Sequence, residues 1–172
     1  MSSNRPDRPI PVAAQPIRAL LRFWRLAWLR LRLRRRLTVG RNVTFGRAAR
    51  LMPPGYVRIG DNVAIGADFH VETNLEIGPD VLISSRVAMV GRDHRFDNPS
   101  QSVFWAGRPP AELVVLEGDN LIGYGTIIVA PVRIGRGCIV GAGSVVVGDL
   151  PGDTICAGAP AKPIRGRYEP RA

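Results

Sequence analysis

The strongest constraint on the fold is a six-residue repeat that runs from Val39 to about Leu150 with one interruption. Fifteen blocks of six each begin with a large apolar residue. These are Val39, Phe45, Leu51, Ile59, Ile65, Val71, Ile77, Ile83, Met89, Leu116, Ile122, Ile128, Ile134, Val140 and Val146. The second residue is Gly in eight of the fifteen blocks, and the fourth is Asn, Asp or Gly in ten. Those three residue types tolerate a positive φ, so the fourth position is predicted to form a tight bend.

A period of six fits neither an amphipathic helix nor an array of hairpins. It is typical of short strands joined by bends, with three strands in each turn of a solenoid. Each starting side chain then points to the axis and stacks on its equivalent 18 residues away, apart from a slip of two residues between Leu51 and Ile59. The sequence predicts an all-β fold, a parallel β-helix of about five coils. At ~4.8 Å per coil the prism is roughly 24 Å tall.

Charge is distributed unevenly along the 172 residues. Residues 1–60 carry 14 arginines and one acid, whereas residues 61–172 carry 10 bases and 13 acids. The formal net charge of +10 therefore comes from the N-terminal third. The chain length and a hydrophobic content of 45% suit one compact domain, and two cysteines are too few for a disulfide scaffold.

The chain divides into four parts. Residues 1–15 are polar and Pro-rich and are predicted to be a disordered tail. Residues 16–38 are predicted to form a basic amphipathic helix, residues 39–151 the β-helix domain with an excursion loop at 95–115, and residues 152–172 a C-terminal tail. Because the ends of a solenoid need covers, the helix and the tail are the candidate covers.

The N-terminal helix has an apolar face and an arginine face. Apolar residues recur at helical spacing, namely Ile17, Leu20, Leu21, Trp24, Ala27, Trp28 and Leu31, while Arg18, Arg22, Arg25, Arg32 and Arg36 share another face. Three roles stay open: a cap on the solenoid, an anchor on an anionic membrane surface, or an arm for nucleic acid. Arginines interrupt every apolar run, so neither a transmembrane helix nor a cleaved signal peptide is expected. We expect a cytoplasmic protein; in the membrane-anchor alternative, residues 16–36 would make its peripheral contact.

The break in the repeat locates the candidate chemistry. The first run ends at His94, and the second resumes at Leu116 after 21 residues without the repeat. Long excursions from a regular scaffold commonly carry function. Stacking by 18 is expected to place His94 above Glu76 and Arg92 above Asn74. One corner would then gather His94, Asn74, Glu76, Asp93 and Asp97, while Trp105 in the loop either covers the acceptor site or anchors the loop. His70, predicted to stack under Ala88, is expected on a different side.

Two segments carry a family resemblance: GRDHRFDNP, and IGYGTIIVAPVRIGRGCIVGAGSVVVGDLPGDTICAGAPAKPIR. Over residues 39–166 the chain resembles the hexapeptide-repeat acyltransferases, which are left-handed parallel β-helices. It resembles in particular the maltose, galactoside and nodulation-factor O-acetyltransferases and the acetyltransferases of polysaccharide clusters. The resemblance implies acetyl-CoA as the acyl donor, a sugar or cell-surface saccharide precursor as the acceptor, and a homotrimer with each site between two subunits.

The resemblance also implies roles for particular residues. His94 matches the general base, a task that suits imidazole because it titrates near neutral pH. The donor would be held by Gly123, Tyr124, Ala142, Lys162 and Arg165: backbone N–H at Gly123–Tyr124 for the oxyanion, Ala142 beside the pantetheine arm, and the two cations at the phosphates. The sequence departs from the family pattern at Tyr124, where a small residue is usual, and at Leu121, where Trp is usual.

Other function classes remain open. N-acetylation of an amino sugar would use the same histidine, and a non-catalytic binding scaffold would leave the GAGS and GAPAK segments unexplained. A zinc hydratase on this fold needs three histidines per metal, and the chain has only His70 and His94. No metal is therefore expected. Cys138 and Cys156 are predicted to be packing thiols.

Overall fold

A computed structural model describes residues 15–170 except 92, with the side chains of residues 15–19 left out. The strands form a triangular solenoid, and each of its three faces is a sheet of parallel strands. Face 1 stacks β1 (Leu37–Val39), β4 (Val57–Ile59), β7 (Asn74–Ile77), β10 (Leu113–Leu116) and β13 (Val132–Ile134). Face 2 stacks β2 (Thr44–Phe45), β5 (Ala64–Ile65), β8 (Leu82–Ile83), β11 (Leu121–Ile122) and β14 (Ile139–Val140). Face 3 stacks β3 (Arg50–Leu51), β6 (His70–Val71), β9 (Ala88–Val90), β12 (Ile127–Val129) and β15 (Val145–Val146).

The six-residue repeat is confirmed as the origin of this architecture. Ile65 pairs with Ile83, 18 residues on, while Leu51 pairs with Val71 across the predicted two-residue slip. Fourteen of the fifteen starting side chains are buried in one core, and Val39 in the first coil is half-buried. Apolar burial along the axis therefore holds the coils together.

The bends follow the predicted residue types with two exceptions, Asn74 and Asp149. Eight of the ten predicted positions have a positive φ, including Asn62 at 59° and Asp80 at 63°. Asn74 is not among them, because it begins β7 and extends the strand. Its Oδ1 instead accepts hydrogen bonds from the backbone N–H groups of Gly55 (2.9 Å) and Tyr56 (3.0 Å) in the coil below.

Both ends of the solenoid are covered. α1 (Gln15–Leu33) continues into a 3₁₀ turn at Arg34–Arg36 and lies over the first coil. Leu29 is buried in the core, and Leu26 and Leu33 pack against it. At the other end β16 (Thr154–Gly158) extends face 2 and pairs antiparallel with β17 (Ala161–Gly166). The structure does not describe residues 1–14 of the predicted disordered tail.

No helix in the described part of the chain combines the length and the hydropathy that a membrane span requires.

The excursion loop begins and ends earlier than the predicted 95–115. β9 ends at Val90, which pairs with Val129, and β10 begins at Leu113, which pairs with Asn74. The loop therefore covers residues 91–112, and the two coils it joins remain in register.

Candidate active site

His94 is half-buried in the excursion loop, at the corner where face 3 meets face 1. Its Nδ1 lies 3.2 Å from the carbonyl oxygen of Val103, and its backbone N–H donates to Oδ1 of Asp93 at 2.8 Å. A carbonyl oxygen can only accept, so Nδ1 carries the proton in this hydrogen bond. The neutral ring then has its lone pair on Nε2, where it can accept a proton from a substrate.

The loop is fastened to the solenoid by a buried hydroxyl that the sequence reasoning missed. Thr73, 1% exposed, donates from Oγ1 to the carbonyl of Glu112 at 2.6 Å, and the Asn74 N–H donates to the same carbonyl at 3.1 Å. Farther out, the Arg95 N–H donates to the carbonyl of Gly107 at 2.9 Å. These bonds fix the segment that holds His94 and its partner Val103.

The predicted stacking of His94 on Glu76 is wrong. The strand ladder places Val115 above Glu76 and Leu113 above Asn74, because the chain leaves the coil after Val90. Glu76 and Val115 are 39 residues apart in the sequence, which is one 18-residue coil plus 21 inserted residues. Arg92, predicted above Asn74, lies outside the described residues.

Glu76 and Asn74 both make bonds within the solenoid. Glu76 accepts from the Tyr56 hydroxyl at 3.0 Å and from Arg58 at 2.9 Å on face 1. Burial and then the hydrogen bond to Glu76 raise the pKa of Tyr56. Hydrogen bonds within the solenoid therefore account for the presence of both Asn74 and Glu76. Asn74 still lies next to the corner that carries His94, because it begins the strand after that corner.

The outer part of the loop presents aromatic rings to solvent. Trp105 is 74% exposed and stacks edge-to-face on Phe104, with ring centroids 4.7 Å apart. Phe96 is 83% exposed, and Asp97 is exposed beside it. Phe104 and Trp105 therefore form an exposed aromatic pair on the loop that carries His94.

His70 pairs with Ala88 in the ladder, as predicted, and therefore belongs to face 3. Its Nε2 lies 2.9 Å from Oε1 of Glu72. Asn74 and Glu76 lie on face 1, a different side of the prism. The corner that carries His94 joins those two faces, and Glu72 lies in that corner one coil below Val90.

Gly123 and Tyr124 form the bend between faces 2 and 3 in the fourth coil. The Gly123 N–H is used inside the ladder, where it donates to the Val140 carbonyl at 2.8 Å. The N–H of Tyr124 has no hydrogen-bond partner among the described residues. Of the two predicted oxyanion donors, only Tyr124 therefore has a free N–H in the chain as described.

Gly123 has a packing role. A Cβ at this position would lie 2.4 Å from the Ala142 nitrogen and 2.6 Å from the Gly141 carbonyl carbon, both in backbone of the coil above. Backbone in two stacked coils cannot move apart without breaking the ladder. Glycine at residue 123 is thus a condition of close coil stacking.

Replacing Gly123 with alanine is expected to lower the free energy of unfolding by about 1–3 kcal/mol, as overpacking does. Gly148→Ala is the matched control, because nothing lies within 4 Å of its added Cβ. Thermal denaturation measures both. We expect Tm to fall roughly 3–10 °C for Gly123→Ala and to stay within about 2 °C for Gly148→Ala. Equal melting temperatures for the two variants would contradict the packing role.

The other predicted donor contacts lie on the last coil and the hairpin. Ala142 is exposed at the bend above Gly123, and Lys162 is exposed on β17. Arg165 is half-buried, and its Nη1 donates to the carbonyls of Glu169 (2.6 Å) and Gly166 (3.0 Å). Lys162 is thus the freer of the two cations predicted at the phosphates.

Cys138, just before β14, and Cys156 on β16 are both fully buried, with Sγ atoms 3.8 Å apart. Burial raises the pKa of Cys138 to about 12, so that thiol stays protonated at neutral pH and is a poor nucleophile. Within the described part of the chain, no three His, Cys, Asp or Glu side chains come close enough to hold a metal ion.

The two halves of the candidate site lie at different corners of one chain. Tyr124 precedes β12, and the far end of that strand, Val129, pairs with Val90 beside the His94 corner. Val129 is five residues beyond Tyr124; a fully extended chain would span about 16 Å, and the bend before β12 shortens this to roughly 15 Å. A proton acceptor and an oxyanion donor must both lie within about 3 Å of the reacting group. One chain does not bring them together.

Comparison with known proteins identifies the family. No protein-family profile matches the chain. It is 31% identical over 139 residues to WbbJ of Escherichia coli K12, a protein named as a lipopolysaccharide biosynthesis O-acetyl transferase. That match covers 75% of this chain and 71% of WbbJ. The chain belongs to the hexapeptide-repeat acyltransferase family.

Two other relatives of this acyltransferase family member are longer proteins. A Saccharomyces cerevisiae protein named as an acetyltransferase, YJL218W, is 35% identical over 126 residues, which cover 66% of this chain and 60% of the yeast protein. A Mycobacterium tuberculosis protein named as an acetyltransferase, Rv3034c, is 34% identical over 115 residues, covering 66% of this chain and 38% of that protein. The chain thus spans about three fifths of the length of the yeast protein and about two fifths of the length of the mycobacterial protein.

Solved structures of acyltransferases share the fold. A variant of AntD, an N-acyltransferase from Bacillus cereus crystallised with dTDP and coenzyme A, superposes with a TM-score of 0.63 at 25% identity, covering 76% of this chain and 84% of AntD. A maltose O-acetyltransferase from Clostridium difficile 630 superposes with a TM-score of 0.59 at 23% identity, covering 80% and 73%. The predicted fold class, a left-handed parallel β-helix of about five coils with an N-terminal helix, is confirmed.

Proposed function

We propose that this protein transfers an acetyl group from acetyl-CoA to a hydroxyl of a sugar or cell-surface saccharide precursor. The single observation that carries the proposal is the His94 hydrogen bond to Val103, which leaves Nε2 free to accept a proton. WbbJ, with 31% identity, supports a saccharide acceptor, and the AntD structure with coenzyme A supports the donor.

The proposed reaction has one tetrahedral intermediate. His94 Nε2 takes the proton of the acceptor hydroxyl while the oxygen attacks the thioester carbon. The negative charge that develops on the carbonyl oxygen is met by a backbone N–H, for which Tyr124 is the candidate. Collapse of the intermediate breaks the carbon–sulfur bond, and the imidazolium returns its proton to the departing thiolate of CoA. Atoms and charge balance, and no metal takes part.

We expect the donor to lie along residues whose side chains are exposed to solvent. Ala142 leaves room beside the bend, and exposed Lys162 supplies a positive charge for the phosphates. Tyr124, 50% exposed, lies with its ring centroid 5.8 Å from the Arg86 guanidinium. The Tyr124 side chain is larger than the small residue expected there from the family pattern. The smaller space left beside the bend favours a short acyl group such as acetyl.

We further propose a homotrimer in which His94 of one subunit meets Tyr124 of its neighbour. The separation of roughly 15 Å between their corners within one chain supports an intermolecular site. Face 2 also presents outward apolar side chains, with Leu82 50% and Leu121 37% exposed, whereas outward side chains of face 1 form ion pairs such as Arg58–Glu76. Apolar faces suit subunit contacts, and cyclic symmetry closes such an assembly.

N-acetylation of an amino sugar is the second candidate. It is favoured by AntD, an N-acyltransferase that superposes with a TM-score of 0.63. A neutral amine, like a hydroxyl, loses a proton during acyl transfer, so His94 could serve both reactions.

The product separates the two reactions. We expect thiol release from acetyl-CoA in the presence of sugars and lipid-linked sugars, and mass spectrometry should find an acetylated acceptor that mild alkali deacetylates, as an ester requires. An alkali-stable product would show amide formation and replace the O-acetyl proposal with the second candidate. No thiol release with any hydroxyl or amine acceptor would count against both.

A further inference from the structure

α1 presents a stripe of leucines, an apolar face with aromatic rings and a stripe of arginines, of which Arg25 donates to the Phe45 carbonyl at 3.5 Å. Leu26, Leu29 and Leu33, spaced at i, i+3 and i+7, pack on the first coil. These leucines are not among those of the predicted apolar face. That face points outward instead, and its residues are largely exposed: Leu20 57%, Leu21 48%, Trp24 62%, Trp28 52% and Leu31 73%, with Phe23 at 64% beside them. The helix is therefore a cap and still has a free aromatic face.

Ring contacts link neighbouring side chains of the exposed face. Phe23 and Trp24 meet edge-to-face with ring centroids 5.8 Å apart, and the Arg32 guanidinium lies 5.3 Å from the Trp28 ring centroid. Trp24 and Trp28 also line an apolar groove of about 420 Å³ between α1 and the first coil, with Phe45 on its floor. Large exposed apolar patches on soluble domains usually mark an interaction site.

The charge around this face selects the partner. Between Arg8 and Gly60 the sequence contains 13 arginines and no acid. Arg41 and Arg58 form ion pairs, whereas exposed Arg30, Arg34 and Arg35 make none with any described residue. A second copy of this chain would bring the same positive charge to the same place and be repelled. Nucleic acid would neutralise the charge but leave the tryptophans and leucines uncovered.

We propose that α1 binds the surface of an anionic phospholipid bilayer, with the Trp24–Trp28 face among the acyl chains and the flanking arginines at the lipid phosphates. An amphipathic helix with aromatic and leucine residues on one side and arginines along its edges lies in the membrane interface in this way. Trp rings favour the headgroup level, and each nearby arginine strengthens binding to an anionic leaflet. The solenoid then stands on the membrane with its first coil towards the lipid.

The test is flotation of the full chain with vesicles of phosphatidylcholine alone or with phosphatidylglycerol added. We expect binding to the anionic vesicles that is at least ~10-fold tighter than to neutral ones and that weakens with added salt. In a Trp105→Phe background the remaining tryptophans, Trp24 and Trp28, should shift their fluorescence to the blue on binding. Equal binding to both vesicles, or binding to neither, would overturn the proposal.

Matched variants assign the binding to α1. Trp24→Ser with Trp28→Ser should abolish anionic binding, while Val147→Ser with Ile164→Ser, at two exposed apolar positions on the last coil and hairpin, should not change it. Arg30→Gln, Arg34→Gln and Arg35→Gln together should weaken it roughly 100-fold, at about fivefold for each arginine. Unchanged melting temperatures would show that the cap formed by Leu26, Leu29 and Leu33 persists.

Two outcomes would replace the lipid partner. Undiminished vesicle binding by the tryptophan variant would show that the apolar face is not the contact. Tight binding to a short DNA duplex that the tryptophan variant retains, with no vesicle binding, would identify a nucleic-acid arm instead.

Discussion

Replacing His94 with alanine is expected to lower kcat for acetyl transfer at least ~100-fold, within the range that general-base catalysis contributes. The reason is the lone pair on Nε2, which the Nδ1 contact to the Val103 carbonyl leaves available. CoA affinity should change little, since Ala142 and Lys162 lie on the last coil and hairpin. Steady-state thiol release measures kcat, and calorimetric titration with CoA measures the affinity.

His70→Ala is the matched control. His70 is also half-buried, but its Nε2 faces Glu72 on face 3. Its replacement should cost less than ~5-fold in kcat, since no proton-transfer group is removed. If His70→Ala abolished turnover while His94→Ala remained near wild type, the catalytic corner would be misassigned.

Mixed oligomers of two inactive variants are expected to regain activity. His94→Ala removes the base, and Ala142→Arg blocks the groove proposed for the donor. If each site combines His94 from one subunit with Ala142 and Tyr124 from its neighbour, co-expression in equal amounts should restore about a quarter of the wild-type sites in a cyclic trimer. Thiol release by the purified mixed oligomer, compared with each parent, measures the restoration.

A mixture of His94→Ala with His94→Gln controls for trace activity of the parents, because no site in it contains an intact base. Light scattering should give about three times the chain mass of 18.7 kDa. A monomer at micromolar concentration, or co-expressed variants as inactive as their parents, would contradict the shared site.

The sequence predicts the solenoid well because the information is local and repeated. An apolar residue every six positions specifies inward pointing, and Asn62 or Asp80 at a fixed offset specifies each bend. Every coil repeats the same pattern of apolar and bend-forming residues. A single exception such as Asn74 therefore alters one bend and leaves the fold unchanged. The position of His94 beside the break follows from the same pattern.

Hydrogen bonds from buried side chains to distant backbone carbonyls could not be predicted in this way. Thr73 lies in an ordinary bend of the sequence, yet it binds a carbonyl 39 residues away. Asn120, 2% exposed, bonds to the Gly118 N–H and to the carbonyls of Gly135 and Cys138. Nothing in a single sequence marks these two as buried. The loop bounds were missed for a related reason, since the apolar run from Leu113 to Leu116 does not show where pairing with β7 begins.

The faces of α1 illustrate a different limit. Its apolar residues surround much more than half of the helix, and periodicity alone does not say which stripe meets the first coil. The structure shows that Leu29 does so, while Trp24 and Trp28 do not. An amphipathic helix can therefore present two apolar stripes of which the fold buries only one.

The way in which the excursion joins the solenoid has an evolutionary consequence. Val90 and Leu113 both remain paired with neighbouring coils, at Val129 and Asn74, so the insertion begins and ends at one corner without disturbing the stack. Mutations, insertions or exchange of residues 95–107 can then accumulate at little cost to folding. Under the proposed function, we expect acceptor preference to diverge through changes in this loop while the coils proposed to hold the donor stay constant.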